Sequence, residues 1–142
     1  MQELLINIFD KPLGIIIYQL VSATRFTIYL SLIAFIGGGI IALLITFLRI
    51  YPSKILNFLS FSYVWLFQSL PLLMLLFLIG LGIPRFVGKD FDPWYAASIS
   101  LIVFTSAYLA EVWRGAILAI PKGQWEGAAA LNLNFFQTLR LI

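Results

Sequence analysis

The sequence contains no cysteine and no histidine. That excludes disulfides, zinc sites built from Cys and His, and catalysis that moves protons through an imidazole. Charge is also scarce. Nine Lys and Arg and six Asp and Glu make up 11% of the 142 residues, against about 25% in an ordinary globular chain. So few charges cannot cover the surface that a soluble domain of this size keeps in water. The net charge of +3 is slight and nothing basic clusters, so nucleic acid is not an expected partner. The phosphate-cradling G-x-x-x-x-G-K pattern and the G-x-S-x-G nucleophile elbow are missing as well. The chain is therefore not expected to be an enzyme, and no catalytic residue, metal ligand or cofactor is assigned. The D-x-D pair Asp90-Phe-Asp92 follows Lys89 and reads as a solvated turn rather than a metal site.

What is abundant is apolar. Hydrophobic residues reach 62%, above the roughly 45–50% of soluble chains. Phe26 to Leu48, Ile55 to Pro84 and Pro93 to Ala110 carry no charge and together make up half of the sequence. About 20 apolar residues cross a hydrocarbon core of roughly 30 Å as a helix. The first two runs are long enough, and the third becomes so if Glu111 to Trp113 continue it. Lipid offers no partner for unpaired backbone groups, so helices are the expected spanning form. The expected fold is all-α and integral to a membrane, with three spans over 26–48, 57–82 and 94–114.

The ends of these runs can be read in the same way. Met1 to Asp10 lacks the basic start of a cleaved signal, and Asp10-Lys11-Pro12 reads as a helix start with Asp10 as its cap. Leu13 to Thr24 is either an interfacial helix or an outer extension of the first span, and the extension is favoured. Short turns at Arg49 to Lys54 and Arg85 to Asp92 join the spans, with Pro52, Pro84 and Gly88 as punctuation. Counting Lys and Arg on the two sides gives five against four, which leaves the orientation undecided.

Three local patterns carry chemistry. Ala34, Gly38 and Ala42 recur every fourth residue, a small-residue stripe suited to close helix packing. In the second span Pro71 has no N–H, so the Phe67 carbonyl loses its helical partner. Gln68-Ser69-Leu-Pro71 is then either a kink lining a polar pathway or a structural kink whose Gln68 bonds another helix. In the third span Glu111 and Arg114 form an i,i+3 pair. It serves either to ease the exit from the membrane or to gate a pathway, since ionisable groups at membrane depth are functional candidates.

Beyond Ile120-Pro-Lys-Gly123 the character changes, and Gly123 to Ile142 is too polar to span. Leu131, Phe135, Leu139 and Ile142 recur at helical spacing, which predicts a short amphipathic helix or a helix pair on the membrane surface or on a soluble partner.

Gln124-Trp-Glu126-Gly-Ala128-Ala129-Ala-Leu-Asn132, with Ile142 following, resembles the EAA motif of ABC importer permeases. That motif reads E-A-A, three residues, G, nine residues, then I-x-L-P. Glu126, Ala128 and Ile142 fall in register, whereas Gly127 replaces the first Ala and Asn132 replaces the Gly. Asn tolerates the left-handed conformation that the Gly position demands, so the turn is expected to survive. Phe67 to Leu73, Gly82-Ile-Pro84 and Ala107 to Gln124 look like the polar amino-acid branch of these permeases, many of which carry Arg where this chain has Gln68.

The resemblance implies the first part of a permease fold of five or more spans. It implies a cytoplasmic coupling helix at 121–142 seated on an ABC ATPase, with Gln124, Glu126, Ala128, Ala129 and Asn132 as coupling residues. Gln68, Ser69, Pro71, Glu111 and Arg114 become pathway or gating candidates. The implied partners are ATPase subunits that hydrolyse the ATP, a second permease subunit, an extracytoplasmic amino-acid-binding protein and the lipid bilayer. The implied location is the bacterial inner membrane, with the N-terminus outside. Because Ile142 is the I of I-x-L-P, the chain is expected to be a partial or truncated permease. The alternative is a truncated component that packs with partner subunits without transporting.

Overall fold

The computed structural model describes residues 11–88 and 92–141, and Asp10, Lys89 to Phe91 and Ile142 lie outside that range. Every regular element among the described residues is helical. Helix α1 runs over Lys11–Ile50 without a break, so Leu13 to Thr24 is continuous with the first span. At 40 residues it is roughly 60 Å long, about twice a hydrocarbon core. It ends at Tyr51-Pro52-Ser53, because Pro52 offers no N–H to a further turn.

The second apolar run differs from expectation. Instead of one kinked span over 57–82, it is two helical arms bent by 100°. Helix α2, Lys54–Ser69, stops at Leu70, whose ψ of 129° is extended. Helix α3, Leu72–Phe77, starts after Pro71 at φ −59° and ψ 138°. The cause is local: the ring of Pro71 clashes with a helical residue before it, so Leu70 is pushed to the extended region and the helix cannot pass through. The second arm continues as a π-helical turn, Leu78–Gly82, and a short helix α4, Ile83–Val87. Gly88, at φ +69°, closes α4 by donating its N–H to the Pro84 carbonyl at 2.8 Å.

Helix α5, Pro93–Leu118, begins with Pro93 in its first turn and Asp92 as its cap. The Asp92 carboxylate accepts the Trp94 N–H at 2.7 Å, a use of this residue that needs no metal. The helix over the third apolar run continues through Glu111 to Trp113, because nothing before Ala119 interrupts it. Past Pro121 come α6, Lys122–Ala130, and α7, Phe135–Leu141.

Helices α1 and α5 pack along one another and run parallel. The Phe26 ring meets Trp94 edge-on at 5.9 Å, Gly38 lies against Ile102 and Thr105, and Arg49 reaches Glu111. Between Phe26 and Arg49 the helix rises roughly 35 Å, close to the thickness of a hydrocarbon core. Two parallel helices joined in sequence require the chain between them to return. After α1 the chain therefore returns from the Arg49 end of the pair to the Trp94 end before α5 begins.

The α1–α5 seam explains the small-residue stripe. Ala34 and Ala42 are buried. A Cβ on Gly38 would sit 2.9 Å from Thr105 Cβ and 3.1 Å from the Ile102 carbonyl oxygen, so only glycine admits this approach. Outside the seam, large apolar side chains such as Ile40, Phe47, Phe58 and Trp65 are exposed along the helices. That distribution suits lipid or further protein rather than water.

Candidate functional site: a polar interhelical seam and an exposed helical hairpin

The polar residues singled out in the sequence lie in two places. The first is the seam where α2 meets α5 and α5 meets α1. Gln68 Nε2 donates to the Ala107 carbonyl at 3.3 Å, the geometry of a side chain that bonds a neighbouring helix. Ser69 Oγ instead donates back to Trp65 in its own helix at 2.6 Å. One turn down from Gln68, the hydroxyls of Tyr63 and Ser106 lie 2.7 Å apart, and Ser106 also donates to Val103. Further along, Thr46 Oγ1 donates to the Ala110 carbonyl at 3.2 Å across the α1–α5 contact. Interhelical hydrogen bonds of this kind contribute about 0.6 to 2 kcal/mol each in a membrane.

At the end of this row stands a charge cluster. Arg114 donates from Nε to Glu111 Oε1 at 3.0 Å and from its Nη2 to the same oxygen. The other carboxylate oxygen, Oε2, receives Arg49 Nη1 at 3.2 Å. Arg49 also places its guanidinium 5.3 Å from the centre of the Phe61 ring, and its backbone carbonyl accepts from Asn57 Nδ2 at 3.2 Å. It thus touches α1, α2 and α5 together. Its side chain is 9% exposed, against 34% for Glu111 and 26% for Arg114.

Sequence reasoning found Glu111 with Arg114, because i,i+3 spacing is local. It missed Arg49, which it treated as a flanking charge, and no local pattern could have paired residues so far apart in sequence. Tyr63 and Thr46 were missed for the same reason, their partners lying 43 and 64 residues away.

The second place is the helix–turn–helix of α6 and α7. Helix α6 buries Ala128 but leaves Gln124, Glu126 and Ala129 exposed. Its end is a Schellman closure. Asn132 adopts φ +54°, Asn132 N–H donates to Ala129 at 3.0 Å, and Leu133 N–H donates to Ala128 at 3.0 Å. The left-handed turn expected at Asn132 is therefore present. Helix α7 opens with a reciprocal cap: Gln137 N–H donates to Asn134 Oδ1 and Asn134 N–H to Gln137 Oε1, both at 2.9 Å. The N-x-x-Q spacing of a capping box was visible in the sequence and went unread.

Of the two forms expected after Gly123, one amphipathic helix or a helix pair, the pair is present. Leu131 is exposed before the turn, and Phe135 begins a second helix. Ile142 lies outside the described residues, as does Asp90. Above α6, an apolar groove of about 730 Å³ separates it from the ends of α1 and α5, lined by Leu43, Phe47, Trp113, Ile117 and Trp125 among others.

Residues 34–142 match the family described as "Binding-protein-dependent transport system inner membrane component". The chain is 34% identical to the arginine ABC transporter permease protein ArtM of Haemophilus influenzae, over 94% of this chain and 61% of that protein. It is 30% identical to the glutamine transport system permease protein GlnP of Escherichia coli, over 87% of this chain and 57% of that one. A crystal structure of an amino acid ABC transporter with histidines superposes with a TM-score of 0.70 at 27% identity, covering 87% of this chain and 61% of the other. The chain thus spans about three-fifths of the length of the proteins it matches.

Proposed function

The chain belongs to the family of binding-protein-dependent transport system inner membrane components, and from that premise we propose that it forms the pathway and coupling part of a permease for an ATP-driven importer of polar amino acids. The observation that carries the reading is the α6–α7 hairpin. It presents Gln124, Glu126 and Ala129 outward, and the left-handed Asn132 gives it a fixed shape. An exposed helix–turn–helix at the end of apolar helices, its turn closed by backbone hydrogen bonds, suits a groove on a soluble partner. That partner is the ATPase subunit, which hydrolyses the ATP.

The motion follows from the packing. Closure of the ATPase subunits displaces the hairpin, and α5 carries the displacement into the membrane as a two-state change. The broken second run faces the pathway, where carbonyls freed at the end of α2 near Gln68 and Pro71 meet water or substrate rather than lipid. Glu111 and Arg114 act at the cytoplasmic end of the same route. A second permease subunit supplies the other wall, and an extracytoplasmic binding protein delivers the amino acid. Arg49 and Glu111 share one end of the molecule, so a cytoplasmic hairpin puts the Arg49 to Lys54 turn inside and the start of α1 outside.

The test is ATP-driven amino-acid uptake in proteoliposomes holding the whole transporter. Glu126→Lys reverses the charge on the exposed face of α6 and should abolish uptake while membrane insertion stays intact. Normal ATPase association and uptake in that variant would count against 122–141 as the coupling element.

A further inference from the structure

We infer that Arg49, together with Glu111, is a positioning residue for coupling: it locks α1, α2 and α5 into one body at the level where the hairpin departs. The inference rests on the reading of 122–141 as the coupling element and extends it to the route by which that element moves the spans.

The geometry sets the argument. Displacement of α6 reaches the membrane through the short link at Ala119 to Pro121, and therefore through the C-terminal turn of α5. If α5 moved alone, α1 and α2 would lag and the pathway would deform rather than switch. Arg49 prevents this by bonding α5 through Glu111, facing Phe61 of α2, and holding Asn57 at the start of α2 through its own carbonyl. Thr46 repeats the α1–α5 tie one turn away.

Two features argue that the cluster serves register rather than stability. An ion pair with a buried partner gains little net free energy over an apolar contact, because the buried charge, here Arg49, loses its water. Here one carboxylate meets two guanidinium groups, and Arg49 Nε is buried without an acceptor among the described residues. Arg114 already satisfies one oxygen of Glu111 from within α5, so Arg49 is not needed to keep the carboxylate paired. What Arg49 adds is the link to the other two helices. Arginine fits this use, because its planar group can bond a carboxylate at one edge and lie near a ring at its face.

The experiment uses the whole transporter in proteoliposomes and reads amino-acid uptake per ATP hydrolysed. Arg49→Ala should lower that ratio about tenfold, toward the upper range for single substitutions in a transmission network, while ATPase association is kept. Arg49→Lys, which keeps the charge but loses the planar fork, should recover part of it. The decisive variant carries Arg49→Cys and Glu111→Cys in a transporter with no other reactive cysteine. It should be uncoupled when reduced and recoupled when a short bifunctional thiol reagent joins the two positions.

An unchanged ratio in Arg49→Ala would overturn the inference. So would loss of uptake on cross-linking, because it would mean that α1 and α5 must separate during the cycle. The coupling reading itself fails separately, through normal uptake in Glu126→Lys.

Discussion

Asn132 stands where the family pattern has glycine, and its φ of +54° is the reason a short polar side chain is tolerated there. The left-handed region costs an ordinary L-residue about 1–2 kcal/mol, and a β-branched one more. Asn132→Gly should therefore keep ATPase association at its original level, and Asn132→Val should weaken it about tenfold or more, the factor equivalent to that strain; a pull-down of the ATPase subunit by the permease measures both. Gly38 makes the opposite demand, for space rather than conformation. Gly38→Leu would drive a side chain into Thr105 and the Ile102 carbonyl, with a cost at the upper end of the roughly 1–3 kcal/mol seen for overpacking. A fall in the thermal unfolding midpoint in detergent would register it, whereas Gly39→Ala, whose nearest neighbour is Trp113 at 3.8 Å, should leave the midpoint unchanged. Both demands were readable beforehand, one from the Gly-to-Asn replacement and one from the four-residue spacing. The atoms that impose them, Ile102 and Thr105, were not, because nothing in a sequence gives the offset between two packed helices.

Among the elements, the broken second run separates most sharply what a sequence can and cannot give. Pro71 announces a disruption, and the restriction it places on Leu70 turns that disruption into a full break. Whether the arms then diverge by a few degrees or by 100° depends on what the second arm packs against, here α5, with Gly80 of the π-helical turn beside Ala96. Pro71→Ala restores an N–H for the Phe67 carbonyl and releases Leu70. Spin labels placed in α2 and in the Leu78–Gly82 turn should then move apart as the arms straighten, with loss of uptake; an unchanged distance would show that packing alone sets the bend. The hairpin followed the same logic with the opposite outcome. Helical spacing from Leu131 to Ile142 allowed one helix or a pair; spacing takes no account of a left-handed residue in its path, and Asn132 divides the segment into a pair.

At the scale of the whole molecule, three uncharged runs and a polar tail were enough to give the all-α class, and the described helices offer two membrane-span candidates, or three if the bent pair is one span. Parallel α1 and α5, linked from Phe26–Trp94 at one end to Arg49–Glu111 at the other, turn that count into an architecture. The same arrangement brings Arg49 and the start of α6 to one end, so the proposed ATPase contact would fix the orientation of the chain. Charge counting could not give that orientation, because five against four is no bias. The central claim is that this end meets the ATPase, and site-specific photocross-linking in the intact transporter tests it most directly. A photoreactive residue at Glu126 should form an adduct with the ATPase subunit, and one at Phe86, 92% exposed and near the opposite end of α5, should form none. An adduct from position 86, or none from position 126, would contradict the account.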